Sequence, residues 1–146
     1  MITFSNDIFF SQVESDIAAG RSVRFRVKGH SMYPLLRNIK DEVTLTPLQR
    51  DPAIMDIVLF RYNGIHVLHR IIAIKDDIYI IQGDGNCLPK ESCSRQDIVG
   101  VVTEIHKDGK KNFATTSNRL KIYNYFWINL RFCRRYMLAV LKRFYK

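Results

Sequence analysis

Three short segments of the sequence hold the side chains that could carry out catalysis. The first, Gly29 to Pro34, places Ser31 in a turn between a flexible glycine and a chain-turning proline, which would expose the hydroxyl. Serine is a poor nucleophile unless a base within hydrogen-bond reach takes its proton. Taken alone, a segment of this kind is more often an ordinary turn at the end of a strand.

The second segment, Ile65 to Ile72, contains two histidines that could act as that base. Alternation along a strand places His69 on an apolar face and His66 on the opposite face. Desolvation on an apolar face would keep the imidazole neutral near pH 7, as a general base requires, although most such histidines are core residues. His66 is a weaker candidate because it lies on the strand face opposite His69. His30 is a weaker candidate because it is adjacent to Ser31 in the chain.

The third segment is a polar loop with carboxylates that could orient such a base. Asp84 lies in the glycine-rich run Gly83 to Asn86, and Glu91 follows a few residues later. By itself an Asp-Gly pair indicates only a turn. A carboxylate here could orient His69 or pair with an arginine, and glycine allows the backbone to approach a neighbour closely.

The elements that must position these segments form a mainly β body. Residues 6–19 carry apolar side chains at helical intervals and predict an N-terminal helix that ends near Gly20. Short alternating or β-branched stretches with turn signals such as Asn63-Gly64 predict a barrel-like fold of hairpins. The predicted strands are 23–27, 42–46, 56–61, 65–74, 78–82 and 97–105, with a polar loop at 83–96 and a linker at 107–118.

The charge of the chain is concentrated at its C-terminal end. Of the 146 residues, 23 are Lys or Arg and 14 are Asp or Glu, a formal net charge of +9. All 14 acidic residues lie at or before Asp108, so residues 1–118 carry only +1 and residues 119–146 carry +8. A nearly neutral body disfavours a basic nucleic-acid-binding domain.

Residues 119–146 predict one basic, amphipathic C-terminal helix. Its apolar face holds Phe126, Leu130, Cys133, Met137, Val140 or Leu141, and Phe144, with Arg131, Arg135, Lys142 and Lys146 opposite. Such a helix fits an interfacial membrane anchor, whose cations each gain roughly 1 kcal/mol near an anionic leaflet. The predicted membrane or partner contacts are Trp127, Arg131, Arg134, Arg135, Lys142 and Arg143. The alternative is a helix whose apolar face docks on the body or on a second subunit; RNA binding is less favoured.

The composition disfavours several other classes of protein. No run of eighteen apolar residues and no secretory signal pattern is evident, so we expect a cytoplasmic or membrane-peripheral protein. Three cysteines are an odd number, which favours free thiols, although Cys87 and Cys93 could pair across a loop. Neither a metal nor a cofactor is expected, because no matching ligand spacing is present.

Taken in order, these segments resemble the signal peptidase I family of serine peptidases and its self-cleaving repressor relatives. The motifs that match are Gly29 to Pro34, Asp56 to Val58, His69 to Ile72, Gly83 to Asn86 and Asp97 to Gly100. They span most of residues 23–106, so the resemblance implies a peptidase-like β domain over residues 1–106. Most bacterial signal peptidases have lysine at the base position; His69 makes this chain similar to the Ser-His type.

The resemblance implies acyl transfer as the reaction. Ser31 would attack a peptide carbonyl, His69 would take its proton, and the turn from Gly29 to Met32 would hold the oxyanion, with the Ser31 N–H as one donor. The family pattern slightly favours Asp84 over Glu91 as the carboxylate that orients His69.

The resemblance also implies how a substrate would bind. An extended peptide would add as a strand to the segment formed by Phe25, Arg26, Val27 and Lys28. We therefore expect a serine endopeptidase that removes a leader or signal segment from a peptide or preprotein. The alternative is an inactive peptidase-like protein that binds a membrane or a partner. A self-cleaving regulator is disfavoured, because too few residues precede the first strand to form a DNA-binding domain and the base is not lysine.

Overall fold

A computed structural model describes residues 6–85, 90–108, 112–129 and 131–144 of the chain. The protein is mainly β, with helices at both ends of the chain, as the sequence predicts. The helices are α1 (Asn6–Ala18), α2 (Asn118–Asn129) and α3 (Arg131–Phe144). The strands are β1 (Val23–Arg26), β2 (Glu42–Thr46), β3 (Ile57–Tyr62), β4 (Ile65–Lys75), β5 (Ile78–Gln82), β6 (Glu91–Ser94), β7 (Ile98–His106) and β8 (Phe113–Ala114).

All strand pairs in the described part of the chain are antiparallel, and seven strands form one path in the order β1-β2-β7-β3-β4-β5-β6. The remaining strand, β8, pairs with the end of β7. Asn63 and Gly64 join β3 to β4 with φ of 50° and 80°, which is the backbone conformation of the predicted tight hairpin turn. Asp76 and Asp77 make the same kind of connection between β4 and β5, with φ of 48° and 63°.

Two apolar clusters occupy opposite faces of the sheet, because alternate residues of each strand point to opposite sides. The first cluster joins α1 to one face through Val13, Ile17, Phe25, Val43, Leu45, Ile57, Leu59, Val102 and Ile105. The second lies between β3, β4, β5, β6 and β7 and contains Val58, Phe60, Ile71, Tyr79, Ile81, Cys93 and Ile98. His69 pairs with Val58 across β3 and β4, so it lies on the face of the second cluster.

The structure differs from the predicted elements in three places. The polar loop predicted at 83–96 contains β6, and the linker predicted at 107–118 contains β8. β6 is short and polar, and β8 has only two residues, so neither shows a strand pattern in the sequence. Only the pairing of β6 with β5 and of β8 with β7 identifies them as strands. The single predicted tail helix is two helices, and Leu130, which separates them, lies outside the described residues. No helix in the described part of the chain combines the length and the apolarity needed to cross a bilayer.

Candidate active site

Ser31 lies in the turn that follows β1 and is half-buried. The Gly29 N–H donates to Asn38 Oδ1 at 2.7 Å, and the Gly85 N–H donates to the Ser31 carbonyl at 2.8 Å. A Cβ on Gly85 would collide with the carbonyl oxygen of His30, so only glycine allows this close approach. The predicted serine turn and the predicted Gly-Asp-Gly loop are therefore in direct backbone contact.

His69 and Glu91 form a buried pair on the sheet. Glu91 in β6 is opposite Ile81 in β5, and Ile81 is opposite Ile71 in β4. His69 lies two residues before Ile71 in β4, so these four side chains share one face of the sheet. His69 Nδ1 lies 3.2 Å from Glu91 Oε2, and only 5% of the His69 side chain and 13% of the Glu91 side chain are exposed. Burial lowers the pKa of His69 below its ordinary 6.5, while the Glu91 carboxylate acts in the opposite direction.

Asp84 pairs with Arg70 instead of His69, which corrects the preference drawn from the family pattern. The Arg70 guanidinium donates from Nε to Asp84 Oδ1 and from Nη2 to Asp84 Oδ2, both at 2.8 Å. Both side chains are 1% exposed, so this is a buried, bidentate ion pair. Alternation explains the difference, since Arg70 points to the face of the sheet opposite His69. Glu91 is the carboxylate that contacts the histidine.

Three side chains of α2 form hydrogen bonds with Arg70 or Asp84, a contact that the sequence did not predict. Tyr123 Oη donates to Asp84 Oδ2 at 3.2 Å, and Trp127 Nε1 donates to the Asp84 carbonyl at 3.1 Å. Arg70 Nη1 donates to Asn124 Oδ1 at 2.6 Å. The spacing of Tyr123, Asn124 and Trp127 on one helix face is the only sequence signal that could have indicated this contact.

A backbone hydrogen bond links the Ser31 turn to the loop that follows β5. Arg70, the neighbour of His69 in β4, is opposite Gln82, the last residue of β5. Three residues after Gln82, the Gly85 N–H donates to the Ser31 carbonyl. Within the described residues no hydrogen bond joins the Ser31 hydroxyl to the His69 ring, and none engages the Ser31 N–H. Met32 is 4% exposed and packs into the first apolar cluster.

Gly29 and Ser31 of the serine turn line a groove of about 630 Å³. It is lined by β1, by the first half of β4 and by the aromatic side chains Phe9 and Phe10 of α1. All four residues of the predicted substrate segment, Phe25, Arg26, Val27 and Lys28, line this groove. Because β1 and β4 are separated by three strands in the sheet, the sheet must curl strongly for both to reach one groove.

Both strands along the groove have an open edge. The Val27 N–H donates to the Asp41 carbonyl beyond β2, so the backbone groups of Arg26 and Lys28 point away from β2. In β4, Ile71 exchanges hydrogen bonds with Met55 and Asp56 on the β3 side, so Leu68 points away from β3. Among the described residues β5 pairs with β4 only from Arg70 onward, and no strand pairs with the outer edge of β1. The backbone groups on these two sides of the groove therefore have no strand partner in that part of the chain.

The predicted membrane or partner contacts of the tail include both buried and exposed side chains. Trp127 is 5% exposed and packs with Tyr33 and Leu138, so its assignment as a membrane contact is wrong. Arg135, Lys142 and Arg143 are exposed. Arg131 and Arg134 lie in α3, but their side chains are not among those described.

Two of the three cysteines lie among the described residues. Cys93 is a free thiol buried in the second cluster, where burial raises its pKa to about 11, and Cys133 is free and exposed. Cys87 lies outside the described residues. Within the residues that the structure covers, no group of three or more His, Cys, Asp or Glu side chains could hold a metal ion.

No protein-family model matches the chain, and no curated protein matches it significantly.

Proposed function

We propose that this protein is a serine endopeptidase that cleaves a leader or signal segment bound in extended form, with Ser31 as the nucleophile and His69 as the general base. One observation carries the proposal. Ser31 lines a groove that runs along two strand edges, and its carbonyl is bonded to Gly85, three residues beyond β5. β5 is the strand whose pairing with β4 and β6 sets Glu91 beside His69. An extended peptide can pair its backbone with such edges by strand addition.

The proposed chemistry is acyl transfer through an ester on Ser31. Ser31 Oγ attacks the peptide carbonyl, its proton moves to His69 Nε2, and the oxyanion binds the Ser31 N–H. The C–N bond then breaks as His69 returns the proton to the leaving amine. Water, deprotonated by His69, hydrolyses the ester and regenerates Ser31.

Glu91 supports this cycle by accepting a hydrogen bond from Nδ1–H. This contact keeps the proton on Nδ1 and leaves Nε2 as the basic nitrogen that would take the serine proton. It also stabilises the imidazolium that forms when His69 takes the Ser31 proton. In free enzymes the nucleophile–base hydrogen bond is often long and shortens when substrate binds, so the absence of a Ser31–His69 bond among the described residues is compatible with this mechanism.

A mixture of synthetic peptides with apolar and small residues, analysed by mass spectrometry, tests the proposal. The wild-type protein should cleave a subset of the peptides at fixed positions, and Ser31→Ala should abolish this cleavage while leaving the circular dichroism spectrum unchanged. Ser92→Ala, at an exposed position of β6, is the matched control and should retain full activity. Equal cleavage by the Ser31→Ala protein would show that Ser31 is not the nucleophile.

A second candidate function is peptide binding without cleavage. It is favoured by the half-buried Ser31, whose hydroxyl makes no hydrogen bond to His69 within the described residues. In that case the wild-type and Ser31→Ala proteins would bind the same peptides with equal affinity, and neither would cleave them.

A further inference from the structure

The two C-terminal helices have an inner face that is already occupied. Trp127 and Leu138 are 5% and 3% exposed and pack with Tyr33, while Met137 and Leu141 are partly buried beside them. This inner face fixes the orientation of α2 and α3 on the body, and it therefore determines which side chains point outward.

The outward side of the same helices carries large apolar side chains. Tyr136, Val140 and Phe144 occur at steps of four in α3, so they form one stripe along the helix. Their exposed fractions are 73%, 56% and 84%. Ile122, Tyr125 and Phe126 of α2 are also more than half exposed. We call these six residues the apolar tail surface.

The two helices that carry this surface also carry exposed cations. The exposed Arg119 and Lys121 lie in α2, and the exposed Arg135, Lys142 and Arg143 lie in α3. Residues 119–146 contain eight Lys or Arg and no Asp or Glu. The tail therefore combines exposed aromatic and aliphatic groups with a dense positive charge.

We propose that the apolar tail surface and the exposed cations of the same helices bind the surface of an anionic phospholipid bilayer. Aromatic and aliphatic side chains would enter the headgroup region, and the Lys and Arg groups would pair with lipid phosphates. A second copy of this chain fits less well, because it would bring two tails of charge +8 together. A nucleic acid would satisfy the cations but leave the aliphatic side chains exposed to water.

Co-sedimentation of the full chain with lipid vesicles tests this proposal independently of any peptidase activity. Vesicles of phosphatidylcholine and phosphatidylglycerol should bind the protein, vesicles of phosphatidylcholine alone should bind it much less, and high salt should reduce binding. Replacing Lys142 and Arg143 by Gln should weaken partitioning about fivefold per charge removed. Lys75→Gln combined with Lys90→Gln, at exposed positions of the body, is the charge-matched control and should have a smaller effect.

The apolar stripe has its own variant and control. Tyr136→Ser, Val140→Ser and Phe144→Ser together should abolish most binding to the anionic vesicles. Ile54→Ser, Ile74→Ser and Ile78→Ser together remove exposed isoleucines from the body and should retain binding. Equal binding by the wild-type protein and the stripe variant, or no binding of the wild type to anionic vesicles at low salt, would overturn the proposal.

Fluorescence distinguishes the outward surface from undocking of the whole tail. Trp127 is the only tryptophan, and it faces the body, so vesicles should change neither its emission maximum nor its quenching by acrylamide. A tryptophan introduced by Phe144→Trp should shift to shorter wavelength when anionic vesicles are added. No shift for the introduced tryptophan, or a concentration-dependent dimer that the stripe variant loses, would identify a protein interface and overturn the proposal.

Discussion

Asp84→Asn is expected to destabilise the protein strongly, because it removes one partner of a buried ion pair. Arg70 and Asp84 are each 1% exposed and share two hydrogen bonds of 2.8 Å. The substitution removes the carboxylate that Arg70 contacts directly, while the neutral acceptors Asn124 Oδ1 and the Met55 carbonyl remain. Breaking a buried pair in this way costs about 3–5 kcal/mol in the free energy of unfolding.

The expected change is large enough to measure directly. For a chain of this size each kcal/mol lowers the melting temperature by about 2–4 °C, so Asp84→Asn should lower it by roughly 6–20 °C. Urea denaturation followed by far-ultraviolet circular dichroism would give the free energy of unfolding. Asp51→Asn is the matched control, because Asp51 pairs with Arg95 on the surface and its side chain is 84% exposed; its effect should be about 1 kcal/mol or less.

A double-mutant cycle separates the unpaired charge from the loss of packing. Arg70→Met combined with Asp84→Asn removes both charges, so the double variant should be more stable than the sum of the two single losses implies. The reasoning would be refuted if Asp84→Asn changed the stability no more than Asp51→Asn, or if the two single losses were additive.

Three further predictions concern the base, the serine turn and the buried thiol. Burial lowers the pKa of His69, so kcat/KM should rise with pH through an apparent pKa below 6.5. Glu91→Gln should slow the reaction and move this rise to lower pH, because the Glu91 carboxylate raises the pKa of His69. A rise at unchanged pH would contradict the pairing of Glu91 with His69. Gly85→Ala should abolish peptide cleavage, because the added Cβ would collide with the His30 carbonyl oxygen in the serine turn. Gly20→Ala is the control: Gly20 has a φ of 82° and a Cβ there would meet no atom within 4 Å, so this variant should be less stable but cleave peptides almost normally. Burial raises the pKa of Cys93 to about 11, so iodoacetamide should alkylate this thiol at pH 8 only after unfolding; rapid labelling of the folded protein would contradict its burial.

The strands of the body could be predicted because their pattern is local. Alternation and β-branched runs indicate β2 and β5 with the bounds that the structure has, and the Asn63-Gly64 signal indicates the hairpin between β3 and β4. By contrast, β6 is only four residues, Glu91–Ser94, and has no apolar run. Its strand conformation depends on pairing with β5, which no local pattern reveals.

The carboxylate that contacts His69 is also determined by strand pairing, which no local sequence pattern reveals. Asp84 is closer to His69 in sequence and matches the family pattern, but its carboxylate lies on the Arg70 face of β4. Glu91 reaches His69 because two strand pairings, β4 with β5 and β5 with β6, align their side chains on one face. A sequence can indicate that both carboxylates are nearby, whereas only the register of the strands decides which one contacts the ring.

The sequence predicts that the tail is helical, but it does not predict which side chains of the tail are buried. The periodic pattern places Phe126, Met137 and Phe144 on one apolar face, yet Phe126 and Phe144 are 56% and 84% exposed whereas Met137 is partly buried beside Trp127. Trp127, expected on the contact surface, is buried instead. The tail has apolar residues on more than one side, so periodicity alone cannot show which side packs on the body.

The central claim is that Ser31 and His69 act together in peptide cleavage, and one comparison of rates tests it most directly. Cleavage of the same peptide mixture should be measured for the wild-type protein, Ser31→Ala, His69→Ala and the double variant, with folding verified by circular dichroism. Each single variant should lower the rate by about a hundredfold or more, and the double variant should be no slower than the worse single one, because residues that act as a unit lose activity non-additively. Undiminished cleavage in either single variant, or binding of peptides with no cleavage by the wild-type protein, would contradict the claim.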